Sequence, residues 1–292
     1  MANRTYSHSH LQCYKACPLK FKLTYIENLV KLDNDKSEHN LIYGQAIHEG
    51  LKRIYLGDSL EAAQKAFKAI YHTQLDPDDT AKTQENGIMV LSEYVKRWAE
   101  EDKKWKVLSA DTKDIFEYGE DEFKTTLDLV IENKEYGGIY GVDHKTAGGN
   151  NALLSYQFWN QFEPNSQITK YSSYIKSKYG DCSGFYINAI GIRFLKNKYK
   201  DSPAGLNLRF QRQMFNRTDQ QMKDEEFDSQ WWIDRIEQSR ASGYYGTNTD
   251  SCKFCTFRPI CSAGWTMSND EDNILVQYKR EKSLTHSIIE KE

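Results

Sequence analysis

The spacing of apolar residues changes its period partway along this chain. Between residues 84 and 104, apolar side chains such as Ile88 and Leu91 recur at near-helical spacing. Residues 107–145 instead contain short alternating runs separated by turn residues. Helical and strand-like segments then alternate toward the end of the chain. The pattern therefore predicts an α/β fold in which helices flank a central mixed β-sheet.

Residues that cap or interrupt helices bound the helical segments. Ser59 is suited to cap a helix, Gly57 ends the one before it, and Pro18 interrupts the first. The polar residues 31–40 predict a loop. The predicted helices cover residues 7–26, 41–55, 59–72, 84–104, 166–178 and 218–242.

The strand-like segments surround one clear hairpin. Its turn is Asn-Lys-Glu-Tyr-Gly-Gly at residues 133–138, and a flexible loop is expected at residues 148–151. The aromatic segment 156–162 predicts an ordered loop over a cleft. Such a loop could stack unpaired bases or form a hydrophobic lid. The predicted strands cover residues 107–110, 114–118, 122–131, 139–145, 185–195 and 206–215.

The central hairpin carries the candidate chemistry. Asp128 lies on its first strand, and Asp143, His144 and Lys145 follow on the second. Two carboxylates can hold a hard divalent cation, which polarises a phosphoryl oxygen and activates water, while a lysine offsets developing charge. Solvated surface carboxylates are the simpler alternative, but a charge inside an apolar strand is costly without a partner. The hairpin therefore indicates metal-assisted phosphodiester cleavage.

Clustered cysteines indicate a second site. Cys252, Cys255 and Cys261 supply three thiolates, whereas zinc sites and iron–sulfur clusters usually take four. Cys13 and Cys17 lie one helical turn apart, and we favour Cys17 because it precedes a proline at a helix boundary. Zinc and iron–sulfur fit this spacing equally well, and ordinary buried thiols remain an alternative. The isolated Cys182 is expected to be a core residue.

Composition narrows the class of protein. The formal net charge of −3 argues against a surface coated in positive charge for duplex binding, but not against a local basic groove. No apolar run approaches the ~20 residues of a membrane helix, and the first residues lack the apolar core of a signal peptide. We therefore expect a cytoplasmic protein without membrane association. Lysines that could contact phosphates are Lys20, Lys22, Lys170, Lys176 and Lys178.

Five motifs together resemble those of a known family. The chain resembles the PD-(D/E)XK nucleases, in particular the RecB-like branch that carries a [4Fe–4S] cluster and includes CRISPR-adaptation exonucleases and helicase–nuclease subunits. The resemblance runs from about Ser7 to Cys261. It rests on Ser9-x-Leu-x-x-Tyr-x-x-Cys-Pro-Leu-Lys-Phe, on His48 in Tyr-Gly-Gln-Ala-Ile-His-Glu-Gly-Leu, on Asp128 with Asp143-x-Lys145, on Gln167-x-x-x-Tyr171, and on Cys17 with Cys252, Cys255 and Cys261.

The resemblance implies a role for each motif residue. A restriction-endonuclease-like core would hold Mg²⁺ or Mn²⁺, and Lys145 would be the catalytic lysine. Gln167 and Tyr171 would orient this lysine or contact DNA. Position 143 is Asp where many relatives carry Glu. The ligands of the divalent metal would be His48, Asp128, Asp143 and the backbone carbonyl of His144, and those of a [4Fe–4S] cluster would be Cys17, Cys252, Cys255 and Cys261.

The resemblance also implies an activity and an organisation. The expected activity is an exonuclease acting on single-stranded DNA, commonly 5′ to 3′, in recombination, repair or processing, with a helicase, recombinase or CRISPR-adaptation partner. An endonuclease and a non-catalytic DNA-binding or partner-docking subunit are the alternatives. No Gly-x-x-x-x-Gly-Lys-Ser/Thr motif occurs, so any helicase activity must come from another chain. One integrated domain is expected, with a helical region at 1–105, a nuclease core at 106–245, a cysteine loop at 246–268 clipped to the N-terminal helix, and a charged tail at 269–292.

Overall fold

The chain folds into two compact units, which are described separately. The computed structural model describes residues 4–32, 36–74, 76–197, 205–264 and 277–280. The first unit comprises Met1–Asn34, Asp114–Thr125 and Lys223–Glu292. The second unit comprises Asp35–Lys113 and Thr126–Met222.

Strands and helices follow one another as in an α/β protein. The strands are β1 (Thr5–Ser7), β2 (Leu29–Lys31), β3 (Trp105–Tyr118), β4 (Asp121–Asn133), β5 (Ile139–Ala147), β6 (Gly184–Leu195), β7 (Gly205–Phe215) and β8 (Tyr278–Arg280). The α-helices are α1 (His8–Ala16), α2 (Pro18–Phe21), α3 (Lys36–Tyr55), α4 (Leu60–Ile70), α5 (Gln84–Trp98), α6 (Tyr156–Asn160), α7 (Ser166–Tyr179), α8 (Asp219–Ser242) and α9 (Arg258–Ser262). Shorter helical turns cover Lys22–Ile26, Asp102–Lys104, Gly149–Leu153 and Thr249–Phe254.

Six strands form one mixed sheet. Its order is β1-β4-β5-β6-β7, and β3 pairs with β4. β1 is parallel to β4, β4 and β5 form the antiparallel hairpin, β5 is parallel to β6, and β6 is antiparallel to β7. The predicted α/β fold with a central mixed sheet flanked by helices is confirmed. Among the described residues, no helix is both long enough and apolar enough to span a bilayer.

In the first unit, a capped helix begins the core. Ser7 Oγ accepts from the backbone N–H of His10, and the His10 side chain accepts from the N–H of Ser7, so the first turn of α1 is closed reciprocally. The core contains Tyr6, Phe21 and Ile236 among other apolar side chains. These residues come from distant parts of the chain, and their packing holds the cysteine segment near α1.

In the second unit, α3, α4 and α5 pack together against β6. Their shared core includes Tyr43, Leu91 and Ile190. A methyl group at Gly87 would lie 2.0 Å from a ring carbon of Phe67. A side chain at this position would therefore separate α4 from α5.

The segment before the hairpin differs from its prediction. Helix α5 ends at Trp98 rather than near residue 104, and β3 is continuous where the pattern predicts two short strands. Asp111 inside β3 has a left-handed backbone with φ 49°. Lys52 donates to its carboxylate at 2.7 Å. This ion pair between residues distant in sequence stabilises the left-handed backbone of Asp111. The sequence pattern shows this position only as a gap between two predicted strands.

Several elements depend on partners far away in sequence, and local patterns miss them. β1 pairs with β4, and β2 pairs with β8 near the end of the chain. The segment predicted to be a charged tail includes Tyr278, which is buried and donates to the carbonyl of Thr256 at 2.7 Å. Helix α3 begins at Lys36 rather than residue 41, and the aromatic segment contains the short helix α6 rather than only a loop.

Candidate active site

The central hairpin places the two acidic residues on one side of the sheet. Leu129 pairs with Val142, and both belong to a buried apolar cluster with Ile131. Because successive side chains alternate between the faces of a strand, Asp128 and Asp143 face away from that cluster. The hairpin register therefore brings the two carboxylates to the same face.

Helix α3 brings a histidine to the first carboxylate. His48 Nδ1 lies 3.2 Å from Asp128 Oδ1. The other oxygen, Asp128 Oδ2, accepts from the backbone N–H of His144 at 2.7 Å. Asp128 is thus held between a helix and the second hairpin strand.

The second carboxylate is paired with the lysine. Lys145 Nζ lies 2.8 Å from Asp143 Oδ2, although the buried oxygen has no hydrogen-bond partner of suitable geometry among the described residues. Burial raises the pKa of Asp143 despite the charge of Lys145, and the nearby Asp128 raises it further. Burial by itself would lower the pKa of Lys145, but the negative charge of Asp143 outweighs this effect, so the pKa of Lys145 is raised. Lys145 is therefore an ammonium at neutral pH.

The charges around Asp128 favour its ionised form. Burial alone would raise the pKa of Asp128, but His48 and the His144 N–H lower it well below its ordinary value. Burial would lower the pKa of His48, and Asp128 reverses this so that the pKa is raised. Burial lowers the pKa of His144 to about 3, so its ring is neutral.

This pair predicts a pH-dependent contribution to stability in metal-free protein. Protonated His48 and ionised Asp128 stabilise the fold between about pH 4 and the raised pKa of His48, which lies above about 6.5. We expect the stability advantage of the wild type over His48→Gln to be largest near pH 5–6. The advantage should decline as pH rises through the raised pKa of His48, and also as pH falls below about 4 toward the lowered pKa of Asp128.

Urea unfolding in chelator-treated buffer across this range measures the effect. His72→Gln is the matched control, because His72 is exposed and its ring nitrogen lies within hydrogen-bond distance of the neighbouring Thr73 hydroxyl rather than of a carboxylate. A stability difference for His48→Gln that stays constant from pH 5 to pH 9 would contradict the expectation.

Helix α7 presents two further motif residues. Gln167 Nε2 donates to the Tyr171 hydroxyl at 3.1 Å, one helical turn away. Burial raises the pKa of Tyr171, and the negative charges of Asp143 and Asp128 raise it further. Tyr171 is therefore a neutral hydroxyl close to both carboxylates.

Two cavities meet at the lysine. One, of about 540 Å³, is lined by His48, Asp128 and Lys145 among others. The other, of about 730 Å³, is lined by Lys145 together with Lys82, Arg193, Phe158 and Phe162 among others. Lys145 forms part of both walls, so a chain-like ligand could pass it from one cavity to the next.

The donor set agrees in chemistry with a hard divalent cation. Carboxylate oxygens suit Mg²⁺ and Mn²⁺, and the buried Asp143 Oδ2 lacks a hydrogen-bond donor of suitable geometry within the described part of the chain. The groups are nevertheless paired with each other, Asp128 with His48 and Asp143 with Lys145. Over the described residues, no three His, Cys, Asp or Glu side chains form a group arranged to hold a metal ion.

The cysteines gather in the first unit. Cys17, Cys252, Cys255 and Cys261 all line one cavity of about 190 Å³. All are free thiols, and Cys13 is not part of this lining. Burial raises the pKa of Cys261, and the charges of Cys255, Cys17 and Cys252 raise it further. If several of these thiols ionise, their negative charges require a nearby cation, and a bound metal ion or cluster would supply it.

Two expectations about individual residues require correction. Lys170 is only 2% exposed and cannot reach a phosphate at the surface. Cys182 is half-buried rather than part of the core, because it precedes β6 at the edge of the helix-to-strand connection. Both alternatives for the aromatic segment stay open: Phe158 and Phe162 are buried against each other, whereas Tyr156 in the same segment is 80% exposed.

Sequence reasoning missed a buried polar network beside the hairpin. Asn188 on β6 and Arg212 on β7 connect to the side chain of His144. An isolated Asn or Arg in a strand has no local pattern that predicts such a role. The only available signal is the polar residue Asn188 within the otherwise apolar run of β6.

The mixed sheet and the acidic residues and lysine on its central hairpin place this chain among nuclease-like α/β proteins. A sequence profile of the PD-(D/E)XK nuclease superfamily matches residues 5–262, and the chain belongs to this superfamily. Its members generally use divalent metals. The superfamily part of the sequence-based assignment is thereby confirmed.

One solved structure supports the same fold. A protein from Eubacterium rectale, provisionally described as an exonuclease, aligns with a TM-score of 0.52 and 12% identity, covering 86% of each chain. A second structure, of the protein SSO0001, aligns with a TM-score of 0.32 and 13% identity, covering 75% of this chain and 84% of that one. The second similarity is too weak to carry an argument. No curated protein matches the sequence significantly.

Proposed function

We propose that this protein is a metal-dependent DNA exonuclease. The observation that carries the proposal is the position of Lys145, which pairs with Asp143 at the wall shared by two cavities, one of which also contains Asp128 and His48. Membership of the PD-(D/E)XK superfamily supports a nuclease. The substrate, metal and polarity are part of the proposal.

The motif residues divide the chemistry between them. His48, Asp128, Asp143 and the carbonyl of His144 would hold Mg²⁺ or Mn²⁺, which when bound polarises the phosphoryl oxygen and lowers the pKa of water. The Lys145 ammonium would offset negative charge that develops on the phosphate. Tyr171, held by Gln167, would position the strand or the lysine. In-line attack by water would then form a P–O bond to the water oxygen and release one of its protons to solvent, while the P–O bond to the leaving oxygen breaks and that oxygen takes up a proton from solvent.

Single-stranded DNA is the substrate that the larger cavity favours. Lys82 and Arg193 in its wall can approach phosphates. Gly148 lies beside this lysine, because a methyl group added at Gly148 would lie 3.1 Å from Lys82 Nζ. The exposed ring of Tyr156 is available for stacking on an unpaired base. We further propose 5′ to 3′ polarity, following the resemblance to the RecB-like branch.

The cysteine cavity supports a [4Fe–4S] cluster in this proposal. Cys17, Cys252, Cys255 and Cys261 provide four thiols around one space, and four thiolates are the usual ligand set. The cluster would be structural, joining segments from both ends of the chain within the first unit. A helicase, recombinase or CRISPR-adaptation protein would be the partner, in DNA recombination, repair or processing.

A digestion assay tests the proposed function. End-labelled single strands, duplexes and closed circles are incubated with cluster-containing protein and Mg²⁺ or Mn²⁺. We expect metal-dependent shortening of single strands from the 5′ end and no cleavage of closed circles. Cleavage of circles would favour an endonuclease. Binding without cleavage on any substrate would favour a non-catalytic DNA-binding subunit.

A further inference from the structure

Four neighbouring strands carry one continuous row of polar contacts. His144 on β5 is the register partner of Asn188 on β6, and Asn188 is the partner of Arg212 on β7. Asn188 Nδ2 lies 2.8 Å from His144 Nδ1, and Arg212 Nε donates to Asn188 Oδ1 at 3.2 Å. At the other end, the His144 N–H donates to Asp128 Oδ2 on β4 at 2.7 Å. The row therefore runs from Arg212 to a proposed metal ligand.

Arg212 is held rigidly at the start of the row. Its side chain is 7% exposed, and its guanidinium carbon lies 3.8 Å and 4.1 Å from the ring centroids of Trp98 and Trp105. Nη1 donates to Asp102 Oδ1 at 2.5 Å. Two aromatic faces and an ion pair thus neutralise and fix a charge that would otherwise be costly to bury.

The donors and acceptors of this network allow only one assignment of which group donates in each hydrogen bond. Arg212 has no acceptor, so its Nη2 donates to the hydroxyls of Tyr55 and Tyr94, at 2.9 Å and 3.1 Å. Asn188 Nδ2 also donates to Tyr94. With both lone pairs occupied, Tyr94 donates to Tyr55 at 2.6 Å, and Tyr55 donates to Asp102 Oδ2 at 3.0 Å. Each of the side-chain nitrogen and oxygen atoms named here then has at least one hydrogen-bond partner.

The same accounting fixes the amide of Asn188. Arg212 Nε–H requires an acceptor, so Oδ1 must face Arg212 and Nδ2 must face His144. A flipped amide would place two donors opposite each other. His144 Nδ1 must therefore accept, which places the ring proton on Nε2. The ring also stacks on Tyr55, with centroids 5.6 Å apart at 15°.

We propose that Arg212 and Asn188 are positioning residues that fix the tautomer and place of His144, and through its backbone N–H the orientation of Asp128. The inference rests on the proposed function, because it assigns Asp128 to the metal. Outer partners of metal ligands typically contribute about 10–100-fold to metal affinity or activity. Neither residue touches the reacting atoms.

Asn188→Asp tests the inference with almost no change in shape. The carboxylate still accepts from Arg212, but it now presents an acceptor to His144 Nδ1. We expect ¹⁵N NMR of metal-free protein to show the His144 proton on Nε2 in the wild type and on Nδ1 in the variant. Mn²⁺ affinity measured by calorimetry should fall about 10–100-fold, and kcat should fall while KM for DNA is little changed.

Tyr94→Phe is the matched control. It removes a buried hydroxyl of the same network but leaves the Arg212–Asn188–His144 contacts in place. It should lower stability yet preserve the His144 tautomer and Mn²⁺ affinity. Arg212→Lys, which loses the fork of donors, should behave like Asn188→Asp.

The measurements separate this inference from the proposed function. The inference is overturned if the wild-type tautomer is already on Nδ1, or if Asn188→Asp leaves both the tautomer and Mn²⁺ affinity unchanged. The proposed function fails instead if the wild-type protein cleaves no DNA. In that case the NMR and Mn²⁺ measurements still decide whether the row positions Asp128.

Discussion

Replacement of Lys145 by Ala is expected to abolish metal-dependent DNA cleavage while leaving the protein folded. Lys145 is half-buried beside Asp143 and lines both cavities, so no other described cation occupies the same position on both walls. Removing a group that offsets charge on a reacting oxyanion typically costs about 10²–10³ in rate. The loss should be at least that large, because Asp143 would also lose its ion-pair partner.

Initial rates on end-labelled single strands measure this effect. Lys96→Ala is the matched control, because Lys96 is an exposed lysine that pairs with Glu93 one turn away on α5. Circular dichroism and the visible absorbance of the proposed cluster should match the wild type in both variants. Full activity of the Lys145→Ala protein would remove the lysine from the mechanism and with it the argument for the whole site.

Replacement of Cys17 by Ser is expected to remove the iron–sulfur cluster and most of the soluble protein. Cys17 is buried in the cavity that Cys252, Cys255 and Cys261 also line. Because the binding of a cluster stabilises the folded state relative to the unfolded state, the loss of one thiolate ligand should destabilise the first unit strongly. The segments it joins lie at residues 17 and 252–261, so few local contacts can compensate.

Iron and sulfide content, visible absorbance and thermal unfolding measure the outcome. Cys13→Ser is the matched control, because Cys13 lies one turn away on α1 and does not line the cavity. Zinc without iron or sulfide in wild-type protein would replace the cluster by a zinc site. Equal effects of the two substitutions would leave Cys17 without a special role.

The central hairpin could be predicted from sequence because its signals are local. Alternation between Leu127, Asp128 and Leu129 marks a half-buried strand, and the glycine-containing turn defines where the chain reverses. These two features predict the hairpin that carries Asp128 and Asp143, and the observed register then places both carboxylates on one face. The spacing of Gln167 and Tyr171 likewise determines that they contact each other on a helix.

The sequence by itself thus determined the α/β class, the hairpin and the set of candidate side chains. Only the tertiary structure decided which of them meet. It paired His48 with Asp128, which lies 80 positions later in the sequence, buried Lys170, and connected Arg212 through Asn188 to His144. It also added β1, β2 and β8, whose partners are distant. The period of the apolar residues shows which face of a segment is buried and which is exposed. The pairing between segments depends on long-range packing, which no local pattern predicts.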